Sequence, residues 1–493
     1  MKYYSTRNSK NEVSASEAIS IGISPDGGLF VPEMFPSLSL DTIKSMCKMT
    51  YQEKASIILG KYLTEYSESE INDLVSKAYG ENFDCKEITP LKFINNKTAV
   101  LELWHGPTCA FKDLALQLLP HLLTSSLKKR NEDREVCILV ATSGDTGKAA
   151  LEGFADVEGT KIIVFYPKDG VSDVQQLQML SQTGNNVMVS AVEGNFDDAQ
   201  TGVKTIFTDE LFKSEMSNKG YLLSSANSIN WGRLLPQIVY YFSAYCDYVN
   251  SGNINFGDMI DFAVPTGNFG DILAGWYAKK MGLPVNKLIC CSNANNVLTD
   301  FIKTGIYNKN RKFITTISPS MDILVSSNLE RLLYSLTGSD AEVKSLMQNL
   351  SEYGEYKVND NILKLLKNDF DAGCCNDSDT KVTIKNIYDK HNYLIDTHTA
   401  VAFNVVETYR SETNSNCPTV ILSTASPYKF SNSVLSALGY NEHLNGVKLI
   451  TKLEEITSVK MPMPIKKLLD AKARFNCVIS KDKMKDTVRN FLI

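Results

Sequence analysis

Short apolar runs recur along the chain from about residue 98, and stretches with helical spacing separate most of them. The runs have the length of strands: TAVLEL (98–103), EVCILVA (135–141), KIIVFY (161–166), NVMVSAV (186–192), DFAVP (261–265), KLICCS (287–292) and TVILS (419–423). Strands that alternate with helices are typical of α/β proteins whose sheets are mainly parallel. The pattern therefore predicts an α/β fold.

Two parts of the chain depart from this alternation. Residues 1–95 combine a turn at Pro25–Gly28 with helical spacing over 40–80, which predicts an N-terminal region of mixed structure. Segment 340–395 is polar, rich in Asn, Lys and Asp, and lacks strong strand patterns. We expect a helical insertion or a mobile subdomain there.

Composition and charge exclude several classes of protein. The chain carries 51 Lys and Arg against 56 Asp and Glu, a net charge of −5, which argues against general nucleic-acid binding. No apolar run approaches the roughly 18–20 residues of a membrane helix, and no apolar stretch follows the charges at the N-terminus. We therefore expect a soluble, cytoplasmic protein without a membrane partner.

Eleven cysteines are scattered along the chain without a CxxC motif, and only five histidines are present. Zinc sites with standard spacing need closer pairs of these residues. We expect reduced, mostly buried thiols and no metal centre.

Three of the predicted strands end in loops suited to an anion. Thr266–Gly270 precedes a predicted helix at Asp271, and glycines there let several backbone N–H groups point at one phosphate. Residues 142–147 (TSGDTG) place three hydroxyls and two glycines at a helix start, and Ser423 and Thr424 end the third strand. An ordinary strand–helix turn explains any one of these loops, but three at one edge of a sheet indicate a ligand crevice. Neither GxGxxG nor GK[ST] is present, so the first loop is neither a dinucleotide fingerprint nor a Walker loop.

Lys112 lies in GPTCAFKDLALQLLPHLL, where a largely apolar helix is predicted to begin after Thr108. Desolvation disfavours the ammonium form and lowers the pKa, which an imine-forming lysine requires. An isolated lysine is more often a surface residue whose stem covers an ordinary helix. The surrounding motifs decide between the two interpretations.

Taken together, five motifs resemble those of threonine synthase: GPTCAFKD, ATSGDTG (141–147), SSANSINWGRLLPQ (224–237), PTGNFGD (265–271) and STASPYKF (423–430). The segments MKYYSTRN, SPDGGLFVPE, NANNVLTDFIKTGIY and SPSMDILVSSNLERLL also resemble the longer microbial and fungal form of that family. The resemblance runs in order over nearly the whole chain.

The resemblance implies a pyridoxal-phosphate (PLP) enzyme of the tryptophan-synthase-β-like fold (fold type II). Two open, mainly parallel sheets flanked by helices are expected, with an additional N-terminal region over 1–95. The smaller domain, 96–240, would carry the Schiff-base lysine. The larger domain, 241–493, would carry the phosphate loop and the insertion near 340–395.

Residue roles follow from the resemblance at the matching positions. Lys112 would form the Schiff base and move protons as general base and acid. Contacts to the cofactor phosphate are implied for Gly267, Asn268, Phe269, Gly270 and Asp271, and a contact to the pyridine nitrogen for Thr424. Contacts to the substrate's α-carboxylate are implied for Ser143, Gly144, Asp145, Thr146 and Gly147. The remaining substrate contacts are implied for Asn227, Ser228, Asn230 and Arg233, with Arg233 as the candidate for the substrate's phosphate.

The implied activity is that of a lyase in threonine biosynthesis. It would convert O-phospho-L-homoserine and water to L-threonine and phosphate by γ-elimination and β-addition, in a monomer or homodimer. Two positions depart from the family pattern: Ser426 stands where His is usual, and Asn296 where Asp is common. Lys148 and Lys429 are the alternative Schiff-base lysines.

Three alternatives inside the fold stay open: a serine/threonine dehydratase, a cysteine synthase and a phosphohomoserine phospho-lyase. They share the lysine and the glycine loop, so those motifs do not separate them. A non-catalytic metabolite-binding relative is a fourth alternative, because fold does not dictate activity.

Overall fold

A computed structural model of the chain describes residues 1–142, 144–168, 171–440 and 444–493, without the side chain of Asp197. The strands within these ranges are β1 Tyr3–Ser5, β2 Asn8–Val13, β3 Phe30–Pro32, β4 Leu91–Asn95, β5 Thr98–Glu102, β6 Glu135–Ala141, β7 Thr160–Pro167, β8 Val187–Glu193, β9 Tyr221–Ser224, β10 Ile260–Pro265, β11 Val285–Ser292, β12 Ile306–Asn308, β13 Glu355–Lys357, β14 Phe370–Cys374, β15 Thr419–Ser423 and β16 Cys477–Ser480.

The α-helices are α1 Ala15–Ile21, α2 Leu40–Met46, α3 Tyr51–Tyr62, α4 Glu68–Ala78, α5 Asp113–Leu116, α6 Leu119–Lys129, α7 Asp145–Phe154, α8 Asp173–Leu180, α9 Phe196–Thr208, α10 Glu210–Asn218, α11 Trp231–Leu234, α12 Gln237–Asn250, α13 Gly270–Lys280, α14 Val297–Thr304, α15 Leu329–Thr337, α16 Asp340–Glu352, α17 Asp360–Asp369, α18 Asp377–His391, α19 Thr397–Thr413, α20 Ser431–Ala437, α21 Val447–Thr457, α22 Met463–Lys466 and α23 Met484–Leu492. Among the described helices, none combines the length and the apolar character needed to cross a membrane.

Two open sheets form the framework. The larger has the strand order β14-β11-β10-β15-β5-β4, and every pair in it is parallel except the antiparallel pair of β4 and β5. The smaller, β16-β8-β7-β6-β9, is parallel throughout. Central strands β5, β10 and β15 are buried along their whole length, because helices cover both faces of a parallel sheet. All seven predicted strands are confirmed, and so is the predicted fold class.

Sheet membership does not follow the predicted divisions at three places. Strand β4, inside the range 1–95, pairs with β5 in the larger sheet. Strand β5, inside 96–240, pairs with β15 in the same sheet, and β16, inside 241–493, pairs with β8 in the smaller one. A local apolar run shows that a strand forms but not which distant strand it pairs with. As domain limits, 1–95, 96–240 and 241–493 stay a prediction.

Segment 340–395 is mainly helical, as expected, through α16, α17 and α18. Two short strands also lie in it: β13 pairs with β12, and β14 pairs with β11 over five residues and forms an edge of the larger sheet. The sequence of β14, FDAGC, carries little apolar pattern. An edge strand has only one neighbour and buries less of its surface, so its sequence needs fewer large apolar residues.

The N-terminal region packs into the same core as the two sheets. Its antiparallel sheet, β2-β1-β3, and its helix α3 each bring a ring to Trp231, whose ring centroid lies 5.4 Å from that of Tyr3 in β1 and 5.5 Å from that of Tyr62 in α3. Capping boxes begin α3 at Thr50 and α4 at Ser67, which explains the helical pattern over 40–80.

A buried carboxylate fastens this region to helix α15. The Glu330 carboxylate accepts hydrogen bonds from the Thr6 hydroxyl (2.5 Å) and from Nε and Nη2 of Arg7 (2.8 and 2.7 Å). Arg331, fully buried beside it, donates from Nε to the Phe30 carbonyl at 2.9 Å. These bonds join the start of the chain to the segment beside the glycine loop.

We expect Glu330→Gln to lower the free energy of unfolding by about 2 kcal/mol, because Arg7 and Thr6 lose a buried charged acceptor. Urea unfolding followed by tryptophan fluorescence measures it, since Trp231 lies in the same core. Glu12→Gln is the matched control: it removes the exposed pair with Lys2 and should change little. Equal midpoints for both variants would contradict the prediction.

Candidate active site

The loops that follow β5, β15 and β6 meet at Lys112, and the glycine loop after β10 lies at the same edge of the larger sheet. Strands β5, β15 and β10 are neighbours in the larger sheet, so the segments that follow them lie at one edge. The Phe111 N–H donates to the Thr424 carbonyl (2.9 Å), and Asp145, at the start of α7 after β6, lies 3.9 Å from the Lys112 Nζ. These contacts bring the loops together around Lys112, and a ligand crevice between them stays a prediction.

Lys112 immediately precedes helix α5, with helical backbone angles, rather than lying inside a longer helix. Its side chain is 13% exposed. Burial lowers its pKa to about 8, the nearby cations of Lys429 and Arg233 act in the same direction, and the Asp145 carboxylate opposes them. The predicted desolvation of this lysine is confirmed.

The turn that carries Lys112 is fixed from both sides. The Thr108 N–H and hydroxyl donate to the two oxygens of Asp113 at 2.9 and 2.6 Å. Gly106 packs so closely that an added Cβ would lie 2.6 Å from Asp113. On the other side the Ser426 N–H donates to the Cys109 carbonyl at 3.1 Å. The backbone turn that precedes Lys112 is thus held in place by hydrogen bonds on both sides.

Asp145 faces the lysines. Its Oδ1 lies 2.9 Å from the Nζ of the fully buried Lys429 and accepts a bond from the Gln175 amide at 2.7 Å. Burial alone would raise the pKa of Asp145, but Lys429 and Lys112 outweigh it and hold the pKa below its ordinary range. Its carboxylate therefore forms part of the surroundings of Lys112, and its predicted place around the substrate's carboxylate stays a prediction.

The rest of this loop is organised by Thr142, which the sequence did not single out. Its hydroxyl oxygen accepts from the N–H groups of Gly144 and Gly147 at 3.0 Å each. The N–H groups of Gly144 and Gly147, both predicted to contact the substrate, therefore bond within the loop. Thr146 is half-buried. Ser143 lies outside the described residues.

The glycine loop after β10 presents its N–H groups to a ligand. The Ser326 hydroxyl donates to the Gly267 carbonyl (2.9 Å), and the N–H and amide of Asn328 donate to the Asn268 carbonyl (3.0 and 3.1 Å). Within the described ranges, no protein acceptor bonds the N–H groups of residues 267–271. Phe269 takes φ = 63° before α13 begins. Carbonyls held on one side and N–H groups left on the other suit a phosphate.

The Asp271 side chain is turned away from the glycine loop, towards two tyrosines. Its carboxylate accepts from the hydroxyls of Tyr240 and Tyr241 at 2.5 and 2.8 Å, on the core side of α13. Burial raises its pKa to about 6. An acidic side chain turned away from the loop leaves the positive end of the helix free for an anion.

His398 holds the turn at Ser320, which packs against the glycine loop, and the sequence analysis did not identify it. Its Nδ1 lies 2.6 Å from Asp396 Oδ2, and its Nε2 accepts the Ser320 N–H at 3.2 Å. The Ser320 carbonyl in turn lies 2.7 Å from where a Cβ on Gly267 would be. The sequence DTHT at the start of α19 is the signal that could have pointed to this contact.

The four residues predicted from segment 224–237 have different surroundings. Both polar atoms of the Asn230 side chain bond to backbone groups of the protein: its amide donates to the Ile19 carbonyl and its oxygen accepts the Gly232 N–H, both at 2.9 Å. Ser228 lies 3.4 Å from the Ser327 hydroxyl beside the glycine loop, and Asn227 is half-buried.

Arg233 is a buried cation without an acidic partner among the described residues. One Nη donates to the Ala226 carbonyl at 2.5 Å, and Nε has no partner. Burial lowers its pKa to about 10. A buried guanidinium with free donors near Lys112 suits an anionic ligand.

Thr424 is buried at the end of β15. Ser426 is fully buried, and its hydroxyl caps the turn that follows by accepting from the Tyr428 N–H. Asn296 precedes α14 and accepts from Arg311 at 3.0 Å. Neither departure from the family pattern makes a hydrogen bond with Lys112 in the described part of the chain.

Three family models match successive parts of the chain. They are described as threonine synthase N terminus (residues 2–79), pyridoxal-phosphate dependent enzyme (89–425) and threonine synthase, C-terminal (399–491). Together they account for nearly all of the chain.

Individual relatives and a solved structure agree with these models. "Threonine synthase-like 1" of Homo sapiens is 43% identical over 87% of this chain, which spans only 58% of that relative's length. The threonine synthase of Saccharomyces cerevisiae is 37% identical over 88% of this chain and 89% of its own. The X-ray structure of PLP-bound threonine synthase from Brucella melitensis superposes with a TM-score of 0.88 at 37% identity, covering 100% of this chain and 99% of that one. The chain therefore belongs to the threonine synthase family of pyridoxal-phosphate dependent enzymes.

Proposed function

We propose that this chain is a threonine synthase, converting O-phospho-L-homoserine and water to L-threonine and phosphate. The observation that carries the proposal is the combination of a desolvated lysine, a buried arginine near it without an acidic partner among the described residues, and a loop of free N–H groups at the same sheet edge as the lysine. A substrate that bears both an amino-acid group and a phosphate needs these three features.

The residues fit pyridoxal phosphate, the cofactor of this family. N–H groups of Gly267–Asp271 would hold its phosphate, Thr424 its ring nitrogen, and Lys112 its aldehyde carbon as a Schiff base. When bound, the cofactor withdraws electrons from the carbon next to the amino group. Gly267 supports the fit, because the loop is closed so tightly on the Ser320 carbonyl that only a residue without a Cβ fits.

Lys112 would carry the proton transfers. The conversion removes protons from Cα and Cβ, releases phosphate from Cγ, adds water at Cβ and returns protons to Cγ and Cα, and the Lys112 amine would accept and return them. A pKa of about 8 lets the amine exist in both protonation states near neutral pH.

Arg233 would bind the substrate's phosphate, and the rim of the 142–147 loop, including Thr146, its α-carboxylate. Arg233 is buried and lacks an acidic partner in the described part of the chain, so a dianion would satisfy it. Asn227, half-buried in the same segment as Arg233, is the second candidate there.

Cellular location and assembly are also proposals. All eleven cysteines lie in the described ranges and none forms a disulfide, which supports a reducing compartment such as the cytoplasm. A monomer or homodimer remains our prediction.

The deciding experiment is phosphate release from O-phospho-L-homoserine by the full chain with pyridoxal phosphate, coupled to amino-acid analysis. We expect phosphate and threonine in equal amounts. Phosphate with 2-oxobutyrate and ammonia would instead identify a phospho-lyase. A protein that stays colourless with the cofactor, with no absorption for borohydride to bleach, would identify a non-catalytic relative.

Lys112→Ala should fold and still bind the cofactor, but without a covalent link. We expect turnover to fall at least ~10³-fold, because the amine that forms the imine and moves the Cα proton is gone. Lys148→Ala is the control: that amine is held by Glu152 at 2.8 Å and should not be needed for the imine. Peptide mapping after borohydride reduction would contradict the assignment if the pyridoxyl group were on Lys148 or Lys429.

Gly267→Ala should weaken cofactor binding at least ~10-fold, because the new Cβ would lie 2.7 Å from the Ser320 carbonyl and displace the phosphate loop. Titration of the cofactor-free protein, followed by absorption, gives the Kd. Gly60→Ala is the matched control: its Cβ meets only the end of Ile71, at 3.5 Å. Equal Kd values for the two variants would remove Gly267 from the site.

A further inference from the structure

A second buried lysine braces the site that holds Lys112. The Lys429 ammonium is fully buried, lies 2.9 Å from Asp145 Oδ1 and donates to the Thr108 carbonyl at 2.8 Å. Thr108 belongs to the turn that carries Lys112, and Asp145 begins the helix opposite. Lys429 therefore connects the two loops between which Lys112 lies.

The geometry divides the Asp145 carboxylate unequally between the two lysines. Oδ1 takes the short contact to Lys429 and the bond from Gln175, whereas Oδ2 lies 3.9 Å from Lys112, beyond hydrogen-bond distance. A carboxylate that is already paired attracts a third charge less strongly than a free one does. Lys112 is thus kept near Asp145 without a direct hydrogen bond to it.

We propose that Lys429 is a positioning residue: through its ion pair with Asp145 it keeps that carboxylate from pairing with Lys112 and leaves the Lys112 amine able to change its protonation state. The inference rests on the proposed role of Lys112 but not on the identity of the substrate. The charged groups facing Lys112 are Asp145, Lys429, Arg233 and Asp113.

The sign of each effect follows from these charges. Without Lys429, Asp145 is left as an unpaired anion beside Lys112, so the pKa of Lys112 should rise. Without the Asp145 charge, Lys429 and Arg233 face Lys112 uncompensated, so its pKa should fall. Removing both partners deletes one charge of each sign, and the pKa should return towards that of the natural chain.

The test is the pH dependence of Lys112 acylation by acetic anhydride in the full-length, cofactor-free chain, from about pH 6 to about pH 10. Mass spectrometry of the Lys112 peptide reads it, with the exposed Lys10 as internal reference. For Lys429→Met we expect the midpoint to rise by ~1 unit or more, and for Asp145→Asn to fall. Lys429→Arg, which keeps the charge, should stay near the natural midpoint. This readout needs no substrate, so the absence of threonine synthesis would leave it intact.

A purely structural role for Lys429 would give shifts of the same sign, or none, in both single variants, and that result overturns the proposal. If Lys429→Met does not fold, the double variant Lys429→Met/Asp145→Asn decides, because no buried charge of the pair is left alone in it. We expect the acylation midpoint of the double variant to lie above that of Asp145→Asn and near that of the natural chain. A midpoint equal to that of Asp145→Asn also overturns the proposal.

Discussion

The burial of one carboxylate between two lysines is the constraint on which the candidate site depends. Asp145 can remain charged in the interior only because Lys429 pairs with it directly and Lys112 lies nearby. That requirement brings together three loops that follow β5, β6 and β15 and belong to different sheets. The same arrangement leaves Lys112 desolvated, with the lowered pKa that imine chemistry needs.

The glycine loop depends on support from parts of the chain far away in sequence. Asn328 and Ser326 hold its carbonyls, and the turn at Ser320, fixed by His398, closes behind Gly267. A loop whose carbonyls are bound in advance directs its N–H groups to a ligand without reorganising. Preorganisation of this kind explains why so much of the polar structure around the loop serves position rather than direct contact.

The N-terminal region stabilises helix α11, which carries Arg233. Asn230, at the start of α11, bonds the Ile19 carbonyl, and Trp231 packs against Tyr3 and Tyr62. Arg233 lies two residues further on, so its position depends on that packing. The family's N-terminal segment is therefore integrated with the catalytic framework through one continuous core.

The sequence by itself determined seven strands and the fold class, and it pointed to Lys112 and the glycine loop as site candidates, because apolar runs and glycine spacing are local properties of the chain. Only the tertiary structure decided where side chains point. Asp145 turns to Lys429, Asp271 turns to Tyr240 and Tyr241, and Asn230 is used by the backbone. The sequence also did not predict which strands pair, because β5, β14 and β16 pair with strands tens to hundreds of residues away. Pairing, burial and charge compensation are set by neighbours in space, which a linear pattern does not specify.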